Sequence, residues 1–518
     1  MIMNSSINSN IELQTKITIF NNIRWNWIGI ALETAMAFII CPFLISFLGA
    51  AQYGVWVTIG AITGYFGLFD FGIKSSVGRY VAYYQSKNQL DMLNGSVQTS
   101  ILLLASLSTI ALTCIFLSLD TLVSLISKEF TETQILSIRT ALLISGIHLW
   151  VLLPLNAFEG ILWGCQRFDY LNKISAPATI IRGIFSILFV WFGYGLVSLS
   201  LICLITTLVT GIIKIVLAKR LIPSINFSFA SVKRLHLYEL AKFGAANSLR
   251  SFSHALPAKL SPIGIAILIG VETVAPMSIA ARLIAATTAI LVAAAGVLTP
   301  LATSYHAKNN LRAIRQLHLT GGRYLYCAGL FVATLFFSLG QPLIRLWVGP
   351  ELDSSYYLLL ILACGRCFSA TQIVTRAILT AQAKQWPLAY MSIVQSSLVI
   401  GLGFYLLSYQ GLYAFVILLA VADFLSEGVF SLYYGCRCLN ISIRSYLKQS
   451  FLACLSLVLP STALILCCNY WPADNWFMLF FYGVSYSLSS LLFFLVFVEP
   501  KFLQTILVNG DSRHAISN

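Results

Sequence analysis

Six basic side chains lie inside stretches that are otherwise apolar: Arg182, Arg250, Lys259, Arg282, Arg366 and Arg376. A charge at the centre of a membrane-spanning helix costs roughly 2.5–3.5 kcal/mol on insertion scales, so such residues line cavities or pathways. Cations in a low-dielectric site attract an anion, and Arg offers phosphate oxygens bidentate hydrogen bonds. Arg250, Lys259, Arg282, Arg182 and Arg366 are therefore the candidate substrate-binding residues. Arg376, nearer a span end, reads equally well as an interfacial anchor. Acids are fewer: Glu33, Asp70, Glu159, Asp423 and Glu427, the last two on one helical face at spacing i, i+4. Glu33, Asp70, Asp423 and Glu427 are candidates either to bind a coupling proton or sodium ion or to pair with the arginines. Pro257 and Pro262 each remove a helix hydrogen bond beside Lys259, which suggests a hinge. An ideal helix separates Arg250 from Lys259 by about 180°, so only a bend aims both at one cavity. His148, alone on its span, reads as a hydrogen-bonded core residue.

The elements that must carry these charges follow from composition. Of 518 residues, 58% are hydrophobic and 10% charged, and the mean hydropathy is +0.85; soluble domains carry roughly a quarter charged residues. A soluble enzyme is excluded. Apolar runs long enough to cross about 30 Å of hydrocarbon fall near 27–48, 52–72, 96–118, 140–162, 173–192, 195–217, 243–268, 274–300, 323–340, 356–380, 387–408, 411–434, 449–470 and 476–498. The fold class is an all-α polytopic membrane protein of about fourteen transmembrane helices. With the N-terminus inside, about 23 basic residues fall on the cytoplasmic side and about three outside, so the formal charge of +14 reflects topology rather than nucleic-acid binding. Both termini are expected in the cytoplasm.

An internal repeat organises the spans. Tyr84-Gln-Ser-Lys87-Asn-Gln-Leu90 recurs as Tyr305-His-Ala-Lys308-Asn-Asn-Leu311, and the same offset sets Gly49 opposite Gly270. A displacement of six spans preserves direction through the membrane, which predicts two six-helix lobes related by a parallel repeat, plus two C-terminal helices. The expected organisation is a cytoplasmic segment 1–26, an N-lobe 27–217, an inter-lobe loop 218–242, a C-lobe 243–434, a final pair 449–498 and a cytoplasmic tail 499–518. No P-loop, HExxH or GxSxG motif occurs, so no catalytic residue, metal or cofactor is expected. Cys364-Gly-Arg-Cys367 lacks the second ligand pair of a zinc site, and the cysteines within apolar runs read as free thiols.

Tyr53-Gly54-Val-Trp56, Gly67-Leu-Phe-Asp70-Phe-Gly72 and Gly78-Arg79-Tyr80-Val81-Ala82 together resemble the N-terminal signature of the oligosaccharide and polysaccharide (O-antigen type) flippases, within the multidrug/oligosaccharidyl-lipid/polysaccharide exporter superfamily. Leu346-Trp347-Val-Gly349-Pro-Glu351 is similar to a second family pattern. Gly72 and Arg79 fall in the signature's cytoplasmic loop. The resemblance implies a bacterial inner-membrane flippase moving undecaprenyl-diphosphate-linked oligosaccharide from the cytoplasmic to the periplasmic leaflet through a cation-lined cavity. Its partners would be the lipid-linked oligosaccharide, the bilayer, and polysaccharide polymerase and chain-length proteins. Two alternatives stand beside it. A drug or cation exporter of the same superfamily would favour acidic cavity residues, and a polytopic polymerase or acyltransferase would need a large outer loop, whereas the longest here spans only about 20 residues.

Overall fold

Lipid offers no hydrogen bonds to a backbone, so a chain this apolar satisfies its peptide groups within helices. The computed structural model describes residues 2–70, 72–128, 130–226, 252–295, 298–451, 454 and 457–498, and no β-strand occurs among them. Among the described residues eleven helices are long and apolar enough to cross a membrane, with shorter apolar helices at Phe252–Leu268 and Val458–Cys468. The first of the eleven is broken at Gly49. Counting its halves separately and adding the two shorter helices gives fourteen spans, as the hydropathy pattern predicts.

The chain divides into two compact units, Met1–Ala275 and Pro276–Asn518. The first contains α1 (Ile2–Gly67), α2 (Ile73–Ser86), α3 (Leu90–Leu117), α4 (Leu119–Ile126), α5 (Glu132–Gly164), α6 (Phe168–Trp191), α7 (Gly195–Leu221) and α8 (Phe252–Leu268). Its core joins α2, α3, α5 and α7 through Val77, Val81, Leu93, Val97, Leu104, Ile161 and Ala218. Gly160 and Gly164 let α5 approach the backbone of α2: a Cβ at either would meet the carbonyl of Lys74 at 2.7 Å or that of Gly78 at 2.6 Å. Small residues four apart are the usual means of close helix contact in lipid. Gly54 is tighter still, since its Cβ would sit 1.9 Å from the Val271 carbonyl. Gly54→Ala is therefore expected to cost at least about 1–3 kcal/mol, because backbone yields less than side chain. A melting temperature equal to wild type would contradict that packing.

The second unit holds most of α9 (Val274–Ala295), then α10 (Leu298–Ala307), α11 (Leu311–Val348), α12 (Ser354–Ala370), α13 (Ile373–Ala381), α14 (Trp386–Gln410), α15 (Leu412–Asp423), α16 (Ser431–Leu439), α17 (Ile443–Tyr446), α18 (Val458–Tyr470) and α19 (Trp476–Phe493). A π-helical segment, Phe424–Phe430, joins α15 to α16. Leu339, Leu464, Leu479 and Tyr486 pack α11 against α18 and α19.

The repeated sequence is a repeated shape. Asn88 and Asn309 both adopt the left-handed conformation (φ 55° and 51°). Behind them Gln89 N donates to Tyr84 O and Asn310 N to Tyr305 O, each at 3.0 Å. This is a Schellman-type helix end, for which Asn is suited. A second correspondence escaped the sequence comparison. Gln166 and Ala383 share φ 56°, and Arg167 N donates to Leu162 O (3.0 Å) as Lys384 N does to Leu379 O (2.8 Å). Gly49 and Gly270, at φ 75° and 146°, also need glycine's freedom at matching positions.

Two elements outrun the hydropathy pattern. α11 begins at Leu311 rather than near 323, capped by Asn310, whose Oδ1 accepts the Ala313 N–H at 3.0 Å. Its first turns bury Ile314 and His318 and leave Arg312 exposed, an amphipathic surface helix that a span-length hydropathy window passes over. α5 likewise starts at Glu132, where a Thr131–Gln134 capping box closes its N-terminus.

Candidate functional site

The signature segment of the first unit is a helix start. Gly72 stands at φ 69°, ψ 21°, the left-handed position just ahead of α2, and its carbonyl accepts from the Ser75 and Ser76 hydroxyls at 2.8 and 3.1 Å. Asp70 accepts the Lys74 backbone N–H at 3.3 Å. Arg79 is exposed on α2, its guanidinium 5.7 Å from the Tyr80 ring.

Directly behind this start lies a cluster that sequence reasoning did not assemble. Lys74 of α2 and Lys214 of α7 both bind the Glu159 carboxylate of α5, Lys214 at 2.9 Å. The Lys74 ammonium also lies 5.3 Å from the centroid of Trp163. The Gly160 and Gly164 contacts bring α2 close enough for this exchange.

The predicted cations of the first unit separate. Arg250 lies outside the described residues. Lys259, on α8, is partly buried against the second half of α1, where a Cβ on Gly64 would come within 2.8 Å of its Nζ. α8 stays a continuous helix through Pro257 and Pro262, and the Ser261 hydroxyl donates to the Pro257 carbonyl at 2.6 Å. Arg182 on α6 and Glu33 on α1 are exposed. Among the described residues neither Lys259 nor Arg182 has a carboxylate within 4.0 Å. His148 bonds Thr207 Oγ1 at 2.9 Å.

In the second unit two of the predicted cations are matched by carboxylates. Arg366 of α12 pairs with Asp423 of α15 at 3.0 Å, and Arg376 of α13 pairs with Glu427 of the π-helical segment at 2.9 Å. Arg376 also donates to the Ser369 and Glu427 carbonyls, both at 3.2 Å. Gln395 of α14 bridges Asp423 and Ser426, and Ser392 reaches Glu427 at 3.4 Å. Extra-residue π-turns recur at functional sites, and here the turn sits between Asp423 and the Arg376 pair. Arg282, on α9, is partly buried. Gln395 and Ser426 were missed because a lone amide or hydroxyl in an apolar run carries no signal until its partner is known. All twelve cysteines are free thiols.

Fourteen apolar spans among the described residues, in two units that repeat each other's helix ends, define a polytopic all-α membrane protein. Similar solved structures include the lipid II flippase MurJ in an inward closed conformation, at 13% identity and TM-score 0.71 over 92% of this chain and 99% of that one. A multidrug resistance transporter in an inward-facing conformation aligns at 14% identity and TM-score 0.68, over 81% of this chain and 96% of that one. The chain belongs to the polysaccharide biosynthesis protein family, whose profile matches residues 19–306 and so includes the signature segment. The MatE family profile matches residues 230–405. A Shigella flexneri protein provisionally named an O-antigen transporter is 30% identical over 226 residues, 43% of this chain and about half, 53%, of that relative's length.

Proposed function

We propose that the protein is a flippase that moves an undecaprenyl-diphosphate-linked oligosaccharide repeat unit from the cytoplasmic to the periplasmic leaflet of the bacterial inner membrane, for O-antigen or other surface polysaccharide synthesis. The observation that carries this reading is Lys259: an ammonium within an apolar helix, lodged against Gly64, with no carboxylate partner among the described residues. An unneutralised cation at that depth is costly unless an anion visits it, and a diphosphate is such an anion. Arg182 on α6 and, from its place in the sequence, Arg250 would supply further positive charge in the same half of the chain. The lobes 27–217 and 243–434 would rock about the cavity, with Pro257 and Pro262 as the hinge and both termini in the cytoplasm. No bond is made or broken in this reaction; the sugar crosses in water while the polyprenyl tail stays in lipid. Polymerase and chain-length proteins would take over the product. A cation exporter would instead need available carboxylates, whereas Asp423 and Glu427 each hold an arginine.

The test is the leaflet in which substrate accumulates. In a deletion strain, lipid-linked oligosaccharide is expected on the cytoplasmic side, inaccessible to a periplasmic glycosidase or lectin. Unpolymerised repeat on the periplasmic side would assign the protein to polymerisation, and intact surface glycan with drug sensitivity would assign it to drug export.

A further inference from the structure

The helices α18 and α19 have no counterpart in the repeat. The loop between them, Pro472–Asp474, closes a cavity of about 580 Å³ against α11 and α12, lined by Phe337, Ser338, Gln341, Arg345, Tyr356 and Asp474 among others. That volume lies in the range of small-ligand sites. Its polar groups are held in place. Arg345 Nε lies 2.9 and 2.8 Å from the two oxygens of Asp353, and Gln341 Nε2 approaches the same carboxylate at 3.4 Å. Tyr356 donates its hydroxyl to the Phe337 carbonyl at 2.8 Å. The Arg345 guanidinium holds the Asp353 carboxyl below its usual range, so it remains an ionised acceptor.

We propose that this cavity binds the sugar portion of the transported molecule at the membrane face where it is delivered, an inference that rests on the flippase reading above. One guanidinium set among Asp353 and Asp474 gives no positive excess, which argues against a phosphate as occupant. Planar amide, carboxylate and guanidinium groups suit a neutral polyhydroxyl ligand, whose hydroxyls both donate and accept. The Phe337 and Tyr356 rings offer apolar surface for its C–H faces. The cavity lies at the end of α11 that the basic-residue asymmetry assigns to the periplasm, where flipping would deliver the sugar.

The full-length protein in phosphatidylcholine nanodiscs should bind the lipid-free oligosaccharide released by mild acid from the producing strain's surface polysaccharide, read by saturation-transfer NMR and titration calorimetry. Gln341→Ala and Asp474→Ala, which leave the Arg345–Asp353 pair intact, should each weaken binding about tenfold, one lost hydrogen bond to a charged or amide group, with melting temperatures unchanged. Absence of saturable binding by wild type, or equal binding by wild type and both variants, overturns the proposal. So does co-purified phosphatidylethanolamine that both variants lose while the sugar binds none of the three proteins. Because this measurement needs no transport, a protein that passes the leaflet assay but binds no free sugar refutes the cavity alone.

Discussion

Lys259→Ala is expected to abolish surface polysaccharide while membrane levels of the protein stay at wild type. Lys259 lies on a helix that is otherwise apolar or weakly polar from Phe252 to Leu268, so alanine removes charge without leaving a polar group stranded. A charge-assisted hydrogen bond to phosphate is worth about 1.5–3 kcal/mol, which becomes a tenfold to hundredfold loss of transport if the contact forms at the barrier. Lys259→Arg should retain part of the activity, limited by the space beside Gly64, where even one added carbon would meet the lysine ammonium at 2.8 Å. Gly64→Ala should for the same reason impair transport less than Lys259→Ala, since only the flexible end of the lysine must move. Arg250→Ala, on the preceding segment, should match Lys259→Ala. Normal polymer from both alanine variants, scored by gel profile of the surface glycan, would overturn the proposed diphosphate contact at Lys259 and Arg250.

Glu427→Ala is expected to be the most destabilising single change in the second unit. The residue is 6% exposed, and its loss would take from Arg376, with 17% of its side chain exposed, the carboxylate that lies 2.9 Å from its guanidinium. Breaking such a pair costs about 3–5 kcal/mol, whereas replacing both members by apolar residues of similar size is often nearly neutral. The double variant Arg376→Met with Glu427→Leu should accordingly recover most of the lost melting temperature. Asp423→Asn should cost less, because Arg366 is more exposed and Gln395 continues to bond the residue. Thermal unfolding of the four proteins in one detergent decides the matter. Equal melting of Glu427→Ala and wild type would show that the pair contributes nothing to folding, and no recovery in the double variant would show that the loss does not come from a stranded charge.

Sequence alone determined the class, the number of spans and the repeat. Hydrocarbon imposes one requirement on every spanning segment, about 20 apolar residues in a row, and that requirement is local, so it is written as composition along the chain. Tyr84–Leu90 and Tyr305–Leu311 disclosed the repeat for a similar reason: a helix end with a left-handed Asn is built from neighbours in sequence. Gly54 and Gly72 were visible as signature residues, but their purposes were not. One makes room for the Val271 carbonyl, more than two hundred residues on, and only the other is local, a left-handed start to α2. Which charge meets which was decided by tertiary structure. Glu159 could have served Arg182 or a proton as readily as Lys74 and Lys214, and Arg366 could have stood alone; the partners are 85 and 55 residues away in the first case and 57 in the second. Coulomb attraction acts through space and depends on the dielectric between the groups, and neither distance nor burial exists until the helices have packed.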